Sequence, residues 1–133
     1  MKKVLITGKK SYIGTSVENW IMKEPDNYHV DTIDMRDGLW KEMDFSKYDV
    51  VFHVAGIAHI KETSKNQGLY YKVNRDLAYE TAKKAKENGV NQFIFLSSMS
   101  VYGIDSGYIT KFTPLRPKNA YGKSKVEAEK LIN

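Results

Sequence analysis

The stretch Val4-Leu5-Ile6-Thr7-Gly8-Lys9-Lys10-Ser11-Tyr12-Ile13-Gly14 decides the fold. A short apolar run enters a turn with Gly8 and Gly14 six residues apart, and a helical pattern follows. An apolar run of this kind suits a parallel strand buried on both faces. A glycine turn before a helix lets backbone N–H groups approach a phosphate at the helix N-terminus. Downstream, Ile13, Val17, Trp20 and Ile21 fall at i, i+4, i+7 and i+8, the stripe of an amphipathic helix. Ser11 is placed to cap that helix, and Glu24-Pro25 to end it. Tyr28 to Ile33 reads as a second strand closing on Asp34, which completes a βαβ unit of ~30 residues.

Working outward, Met35 to Lys47 is too short for a crossover helix. Leu39 to Phe45 is one helical turn or a short edge strand, and the strand is favoured, with Asp44-Phe45 at its C-terminal end. Val50 to Ala55 is a continuous apolar strand, and Gly56 opens the loop after it. Leu69, Val73 and Leu77, then Ala78, Ala82 and Ala85, trace the buried side of a long helix that Asn88-Gly89 stops. Phe93 to Leu96 is a further buried strand ending at Ser97-Ser98. Tyr102 to Lys118 is a long loop, and a last helix begins near Asn119. Strands alternating with helices predict a single α/β domain over residues 1–133, a doubly wound parallel sheet of four or five strands with helices on both faces.

A chain of 133 residues, 41% hydrophobic and 28% charged, has the composition of a soluble globular domain. The absence of cysteine excludes disulfides and cysteine metal sites, and fits a cytoplasmic setting. Lys2-Lys3 before Val4-Leu5-Ile6 mimics the start of a signal peptide, but the apolar run is too short for one or for a membrane span. The net charge of +5 comes from lysines scattered among carboxylates, as in Lys83-Lys84-Ala85-Lys86-Glu87, which reads as solvated helix surface rather than a nucleic-acid patch. His29, His53 and His59 lack metal-ligand spacing.

Tyr121-Gly122-Lys123-Ser124-Lys125 puts a phenol and an ammonium one turn apart on one helix face. Together with Thr7-Gly8-x-x-Ser11-x-x-Gly14, Asp34 and Ser98, at this order and spacing, the chain resembles the extended short-chain dehydrogenase/reductases, the NAD-dependent sugar epimerase/dehydratase family. The resemblance implies a Rossmann-type sheet. It also implies that Thr7, Gly8, Ser11, Tyr12, Ile13 and Gly14 form the cofactor's pyrophosphate turn. The family's central glycine is Ser11 here, whose hydroxyl is placed to donate to a phosphate oxygen, with Lys9 and Lys10 nearby. Asp34 stands where an acid accepts from both ribose hydroxyls, favouring NAD over NADP, although Arg36 is positioned to bind a 2′-phosphate instead. Asp44 and Phe45 resemble the adenine edge, or else form a surface turn. Val54-Ala55-Gly56 resembles the strand end packed against the adenosine half, and His53 reads as a packed strand residue. Ala58 falls where many sugar-nucleotide epimerases carry a lysine, with His59 or Lys61 as substitutes.

Asn74 matches a helix asparagine that helps hold the active-site water and backbone, or is a plain helix-surface amide. Ser98 matches the active-site serine, aligned through Val101-Tyr102-Gly103, with Ser97 the neighbour it is confused with. A tyrosine ordinarily ionises near ~10, and an ammonium one turn away with a positive nicotinamide favours its phenolate. Tyr121 then moves a proton, Ser98 orients the substrate oxygen, and Lys125 holds the nicotinamide ribose. The implied reaction is NAD-dependent oxidoreduction of a nucleotide-linked sugar. Ser98-Met99-Ser100 lacks the acid pair that a dehydratase adds there, so 4-epimerisation or simple reduction is favoured. The rival is a non-catalytic dinucleotide-binding module or redox sensor. The family's members run to roughly twice this length, so the chain is expected to be an N-terminal portion cut after the catalytic-tyrosine helix. As such it is inactive alone and a homo-oligomer.

Overall fold

The computed structural model of the chain describes residues 1–58 and 60–133. His59 lies outside the described residues. Two compact units divide the chain, Met1–Gly56 with Glu80–Leu96, and Ile57–Tyr79 with Ser97–Asn133.

The first unit holds the sheet. Strand β1 (Lys2–Thr7) leads to helix α1 (Tyr12–Ile21), then to β2 (Tyr28–Ile33) and β3 (Val50–His53). All pairings are parallel, with Val4 opposite both Val30 and Val50, and Thr7 opposite both Ile33 and His53. A later strand, Gln92–Phe95, adds beyond β3, giving the order β2-β1-β3-β4 with that strand as β4. The order reverses between β1 and β3, and in such sheets ligands lie beyond the carboxyl ends of the strands at that switch.

The apolar run of β1 is central for the reason its sequence suggests. Val4 and Ile6 pack on one face with Val50, Val17, Val30, Phe52 and Val54, while Leu5 and Thr7, alternating to the other face, are fully buried. Ser11 caps α1 by accepting the Gly14 N–H at 3.1 Å, as its position predicts. The α1 stripe needs correction. Val17 packs on the core, but Trp20 is 70% exposed with the Lys23 ammonium 4.4 Å over its ring. A β1-facing helix needs only a narrow contact line, and the i+7 position has rotated off it.

The favoured strand at Leu39–Phe45 is not formed. Gly38, at φ +77°, starts a single 3₁₀ turn over Leu39–Glu42, with Asp37 Oδ1 accepting the Leu39 N–H at 3.0 Å. Trp40 and Phe45 are buried while Leu39 is exposed. That pattern is a turn anchored by two aromatics rather than the alternation an edge strand requires.

The helical run from Gln67 to Glu87 supplies both units. It comprises α2 (Gln67–Tyr70), a wide π-type segment (Tyr71–Leu77) and α3 (Ala78–Glu87). Leu69, at the start of its predicted stripe, is exposed, whereas Ala78 and Ala85 are buried. Gly89, at φ +75°, ends α3 where Asn88-Gly89 predicts, and the Val90 N–H reaches back to the Ala85 carbonyl at 2.9 Å.

In the second unit a 3₁₀ turn at Met99–Val101 follows Ser98, and α4 (Ala120–Ile132) begins after Asn119, whose side chain accepts the Gly122 N–H at 2.8 Å. The intervening loop is pinned where Arg116 N–H meets the Val101 carbonyl at 3.0 Å. Gly103 sits at φ +64°, where a Cβ would run into the Arg116 carbonyl. Among the described residues, no helix is long and apolar enough to cross a membrane.

Candidate functional site

In the sheet unit, the β1–α1 turn is shaped by what cannot fit there. Gly8 holds φ +83°, and a Cβ on it would stand 3.1 Å from Val54 Cγ2 and 3.2 Å from the Ala55 nitrogen. Its carbonyl accepts the Ser11 N–H at 3.0 Å, and its own N–H and that of Lys9 both reach the Ile33 carbonyl. A Cβ on Gly14 would meet Ser11 Oγ at 2.6 Å. Both glycines thus sit where a Cβ would crowd its neighbours, and Gly8 also holds a positive φ. Because Ser11 Oγ accepts from Gly14, its own proton remains to be donated. The Tyr12 and Ile13 N–H groups, first in α1, have no helical acceptor, and both side chains are exposed.

Thr7 is fully buried, and its hydroxyl ties β1 to the end of β3. It accepts the N–H groups of Val54 at 3.1 Å and Ala55 at 3.2 Å, and lies 2.9 Å from His53 Nδ1. A hydroxyl receiving two N–H groups has one proton left, which it gives to Nδ1. His53 is buried between Phe93 and Phe95, with ring centroids at 5.8 and 6.3 Å, a packed residue as its strand position suggests. Gly56 follows, exposed.

Asp34 emerges after β2 and is gripped by Arg36. The Arg36 backbone N–H and Nε reach Oδ1 at 2.9 and 3.0 Å, while Nε and Nη2 reach Oδ2 at 3.1 and 2.6 Å. This fork holds the Asp34 carboxyl down at about 2. Asp44 is exposed, its Oδ1 accepting the Ser46 N–H at 2.8 Å. Phe45 is fully buried, with Lys84 Nζ 5.1 Å over its ring and its N–H on Asn88 Oδ1 at 3.0 Å.

The second unit gathers the remaining residues on and around α4. Lys125 is only 6% exposed, one turn beyond Tyr121. Burial pulls its ammonium down to about 8, with the Glu129 carboxylate acting in the opposite direction. Tyr121 is half-buried, edge-on to Tyr70 at 6.3 Å between centroids. Asn74, within the π-type segment, is buried, which removes the helix-surface alternative. Its amide accepts the Ile57 N–H at 2.8 Å, donates to the Ile57 carbonyl at 3.0 Å, and reaches Ser124 Oγ at 3.4 Å. Ser124 in turn donates to the Tyr121 carbonyl at 2.8 Å. A π-type widening that carries a buried amide is a common mark of functional segments. Ser98 is half-buried, and its Oγ caps the following turn by accepting the Ser100 N–H at 3.1 Å. Ser97 instead donates to Glu129 Oε1 at 2.5 Å, so the two neighbours are separated by their partners.

Several participants escaped the sequence reading. Gly122 is one, since a Cβ there would lie 2.7 Å from the Ser100 carbonyl oxygen and 3.0 Å from Pro117 Cβ. This close approach seats α4 on the turn after Ser98, and a glycine inside a helical pattern was its available signal. Glu62 is another, accepting the Ala120 N–H at 3.1 Å at the start of α4. Ala58 and Lys61 lie before α2, and the Lys61 carbonyl accepts from the Asn66 side-chain amide at 2.7 Å. Among the described residues, no group of three His, Asp or Glu is placed to hold a metal.

A parallel α/β sheet with a glycine turn at its switch point defines a Rossmann-like protein. The model of the NAD dependent epimerase/dehydratase family matches residues 4–133, and the chain belongs to that family. It is 32% identical over 108 residues to UDP-glucose 4-epimerase 4 of Oryza sativa subsp. japonica, covering 79% of this chain and 29% of that protein. It is 29% identical over 152 aligned positions to UDP-glucose 4-epimerase of Vibrio cholerae, covering 98% of this chain and 46% of that one. The chain thus spans less than half the length of these curated relatives. The fold is that of MoeE5 in complex with UDP-glucose and NAD, with a TM-score of 0.84 at 23% identity over 98% of this chain and 48% of that one.

Proposed function

We propose that residues 1–133 are the NAD-binding portion of an enzyme that oxidises and reduces a carbon of a nucleotide-linked sugar, with 4-epimerisation as its reaction. Family membership and the activities for which the relatives are named support this reading. The observation that carries it is the burial of Lys125 one turn from Tyr121. A solvent-facing helix gains nothing by burying an ammonium, and perturbed ionisation of this kind gathers at functional sites.

The turn fits a dinucleotide. Gly8 leaves no room for a side chain, Tyr12 and Ile13 offer free-ended helix N–H groups, Ser11 retains a proton to donate, and Lys9 and Lys10 are exposed. In this assignment Gly8, Ser11, Tyr12, Ile13 and Gly14 hold the pyrophosphate while the buried Thr7 braces the turn from within, Asp34 holds the adenosine ribose, and Asp44, Val54, Ala55 and Gly56 form the adenosine surroundings, with the fully buried Phe45 anchoring Asp44 rather than touching the ring. The bound nicotinamide supplies the hydride acceptor and donor. Tyr121 moves the proton of the sugar hydroxyl, Ser98 orients that oxygen, and the Lys125 ammonium favours phenolate and holds the nicotinamide ribose. Asn74 fixes the backbone at Ile57 and, through Ser124, the carbonyl of Tyr121.

The proposal includes a cytoplasmic setting, no nucleic-acid or membrane partner, and a homo-oligomer. The exposed Ile94 on the outer strand β4 supports the last point. Turnover is assigned to a longer chain, since the relatives are more than twice this length. Calorimetric titration with NAD and NADP tests the cofactor assignment. NAD is expected to bind more tightly. Tighter NADP would transfer the ribose site from Asp34 to Arg36, and binding of neither would remove the dinucleotide reading.

A further inference from the structure

Proton transfer by a phenol depends on where its oxygen points, and a tyrosine oxygen lies beyond rotatable bonds that the backbone does not fix. At Tyr121 the backbone itself is tied from several directions. Ser124 donates its hydroxyl to the Tyr121 carbonyl at 2.8 Å, and Glu62 accepts the neighbouring Ala120 N–H at 3.1 Å. Gly122 seats the same turn of α4 against the Ser100 carbonyl. All of these act on the main chain, whereas the Tyr121 ring is half-buried and meets a different partner. Tyr70 stands edge-on to it, with 6.3 Å between ring centroids and 60° between planes. Aromatic pairs favour this arrangement, because the positive rim of one ring meets the negative face of the other.

Tyr70 has the properties of a fixed support. It is 2% exposed, and its hydroxyl donates to the Ile60 carbonyl at 2.8 Å. A phenylalanine would fill the same space, so the hydroxyl's bond adds a set orientation rather than volume. With its proton on a backbone carbonyl, the Tyr70 phenol has none to give a substrate, and any part it plays in the chemistry is indirect. Asn74, four residues on and on the same face of the helical run, holds the Ile57 N–H at 2.8 Å and the Ile57 carbonyl at 3.0 Å. Tyr70 and Asn74 thus grip one segment at Ile57 and at Ile60. Further along it, the second Glu62 oxygen accepts Gln67 Nε2 at 3.2 Å. The support behind the Tyr121 ring is therefore braced to α2, to the π-type segment and to the start of α4.

We propose that Tyr70 is a positioning residue for the proton transfer, its ring holding the Tyr121 ring in the one rotamer from which the phenol oxygen acts. The catalytic part of this rests on the function proposed above, and the conformational part does not. Such a residue contributes to orientation at the reacting atom and leaves the grip on the rest of the substrate alone. Its loss accordingly lowers turnover rather than binding.

The test measures three-bond NMR couplings about the Tyr121 Cα–Cβ bond in this chain, labelled at tyrosine and assigned by the signal lost in Tyr121→Phe. Circular dichroism confirms folding. The wild type is expected to hold a single rotamer, Tyr70→Leu to show averaged couplings, and Tyr70→Phe, which keeps the ring, to stay closer to the wild type. Averaged couplings in the wild type overturn the proposal, and so does a single rotamer in folded Tyr70→Leu. Averaging in Tyr70→Phe as complete as in Tyr70→Leu overturns it too, because the ring contact would then hold nothing. Should Tyr70→Leu not fold, Tyr70→Met, also without a ring, is read in the same way. In the longer enzyme Tyr70→Leu is expected to lower kcat roughly ten- to a hundredfold with KM for the sugar nucleotide moved less than about twofold. A rise in KM at unchanged kcat would overturn the positioning role. The functional reading fails separately: normal turnover by Tyr121→Phe would remove it and leave the rotamer result on this chain standing.

Discussion

The sheet unit and the α4 unit solve opposite problems. At the β1–α1 turn the chemistry lies in backbone and in missing atoms. Gly8 and Gly14 matter because a Cβ would crowd its neighbours, and the groups offered are N–H donors at a helix start. Around α4 the chemistry lies in side chains brought inside, namely Lys125, Ser124 and Asn74, all buried, with Ser124 and Asn74 hydrogen-bonded to each other. The first kind of site stays exposed and requires shape. The second must offset the desolvation of charged and polar groups, so it works against stability. Substitutions should therefore behave differently in the two units.

The largest expected effect is on α4. Tyr121→Phe, in a full-length enzyme carrying this portion, should lower turnover by ~10²–10⁴ with thermal unfolding unchanged, because only the proton-carrying atom is removed. Near-normal turnover would dismiss Tyr121 as the acid/base.

Lys125→Met sharpens the contrast, since it should abolish function while stabilising the fold by about 1–3 kcal/mol at pH 7. The ammonium loses its proton near about 8 in the folded chain and near ~10.4 when unfolded. Between those values the unfolded state binds more protons, so wild-type stability rises with pH and the variant's advantage shrinks. Urea unfolding at pH 7 and pH 10 measures this, and a constant difference would contradict it.

At the turn, Gly8→Ala should do the reverse and lose both binding and stability, the latter by about 1–3 kcal/mol. A Cβ there combines positive φ with contacts of 3.1–3.3 Å to Val54 and Ala55. Unchanged thermal unfolding would show that the turn relaxes freely.

The smallest effects fall on the exposed acid. Asp34→Ala should weaken NAD binding roughly ten- to a hundredfold through loss of charge-assisted bonds. Arg36→Ala should tighten it by no more than about a few-fold, since an exposed ion pair is weak and its removal frees the carboxylate. Weaker NAD binding by Arg36→Ala would mean that the arginine contacts the cofactor itself.

Legibility followed the range of the interactions. Strand β2 falls at Tyr28–Ile33, closing on Asp34 as the sequence predicts, and Ser11, Asn119 and Gly89 cap or stop their helices as their local chemistry requires. Leu39–Phe45 takes the helical-turn alternative instead of the favoured strand because Gly38 and two buried aromatics, rather than periodicity, settle its shape. Trp20 was misread because a helical stripe shows which residues share a face but not how wide a contact the sheet will accept.

The sequence by itself determined the parallel α/β order, the glycine turn and the spacing of Tyr121 and Lys125, because each follows from contacts within a few residues or from a repeating pattern. Only the tertiary structure decided that Lys125 and Asn74 are buried, that Arg36 occupies both oxygens of Asp34, and that Ser97 turns to Glu129 while Ser98 does not. The burial and the Ser97–Glu129 contact join residues tens of positions apart, and whether a side chain meets water or another chain segment is set by packing. The Asp34–Arg36 fork is local, but an arginine two residues from an acid has many exposed rotamers, and only the folded backbone after β2 selects the one that grips it.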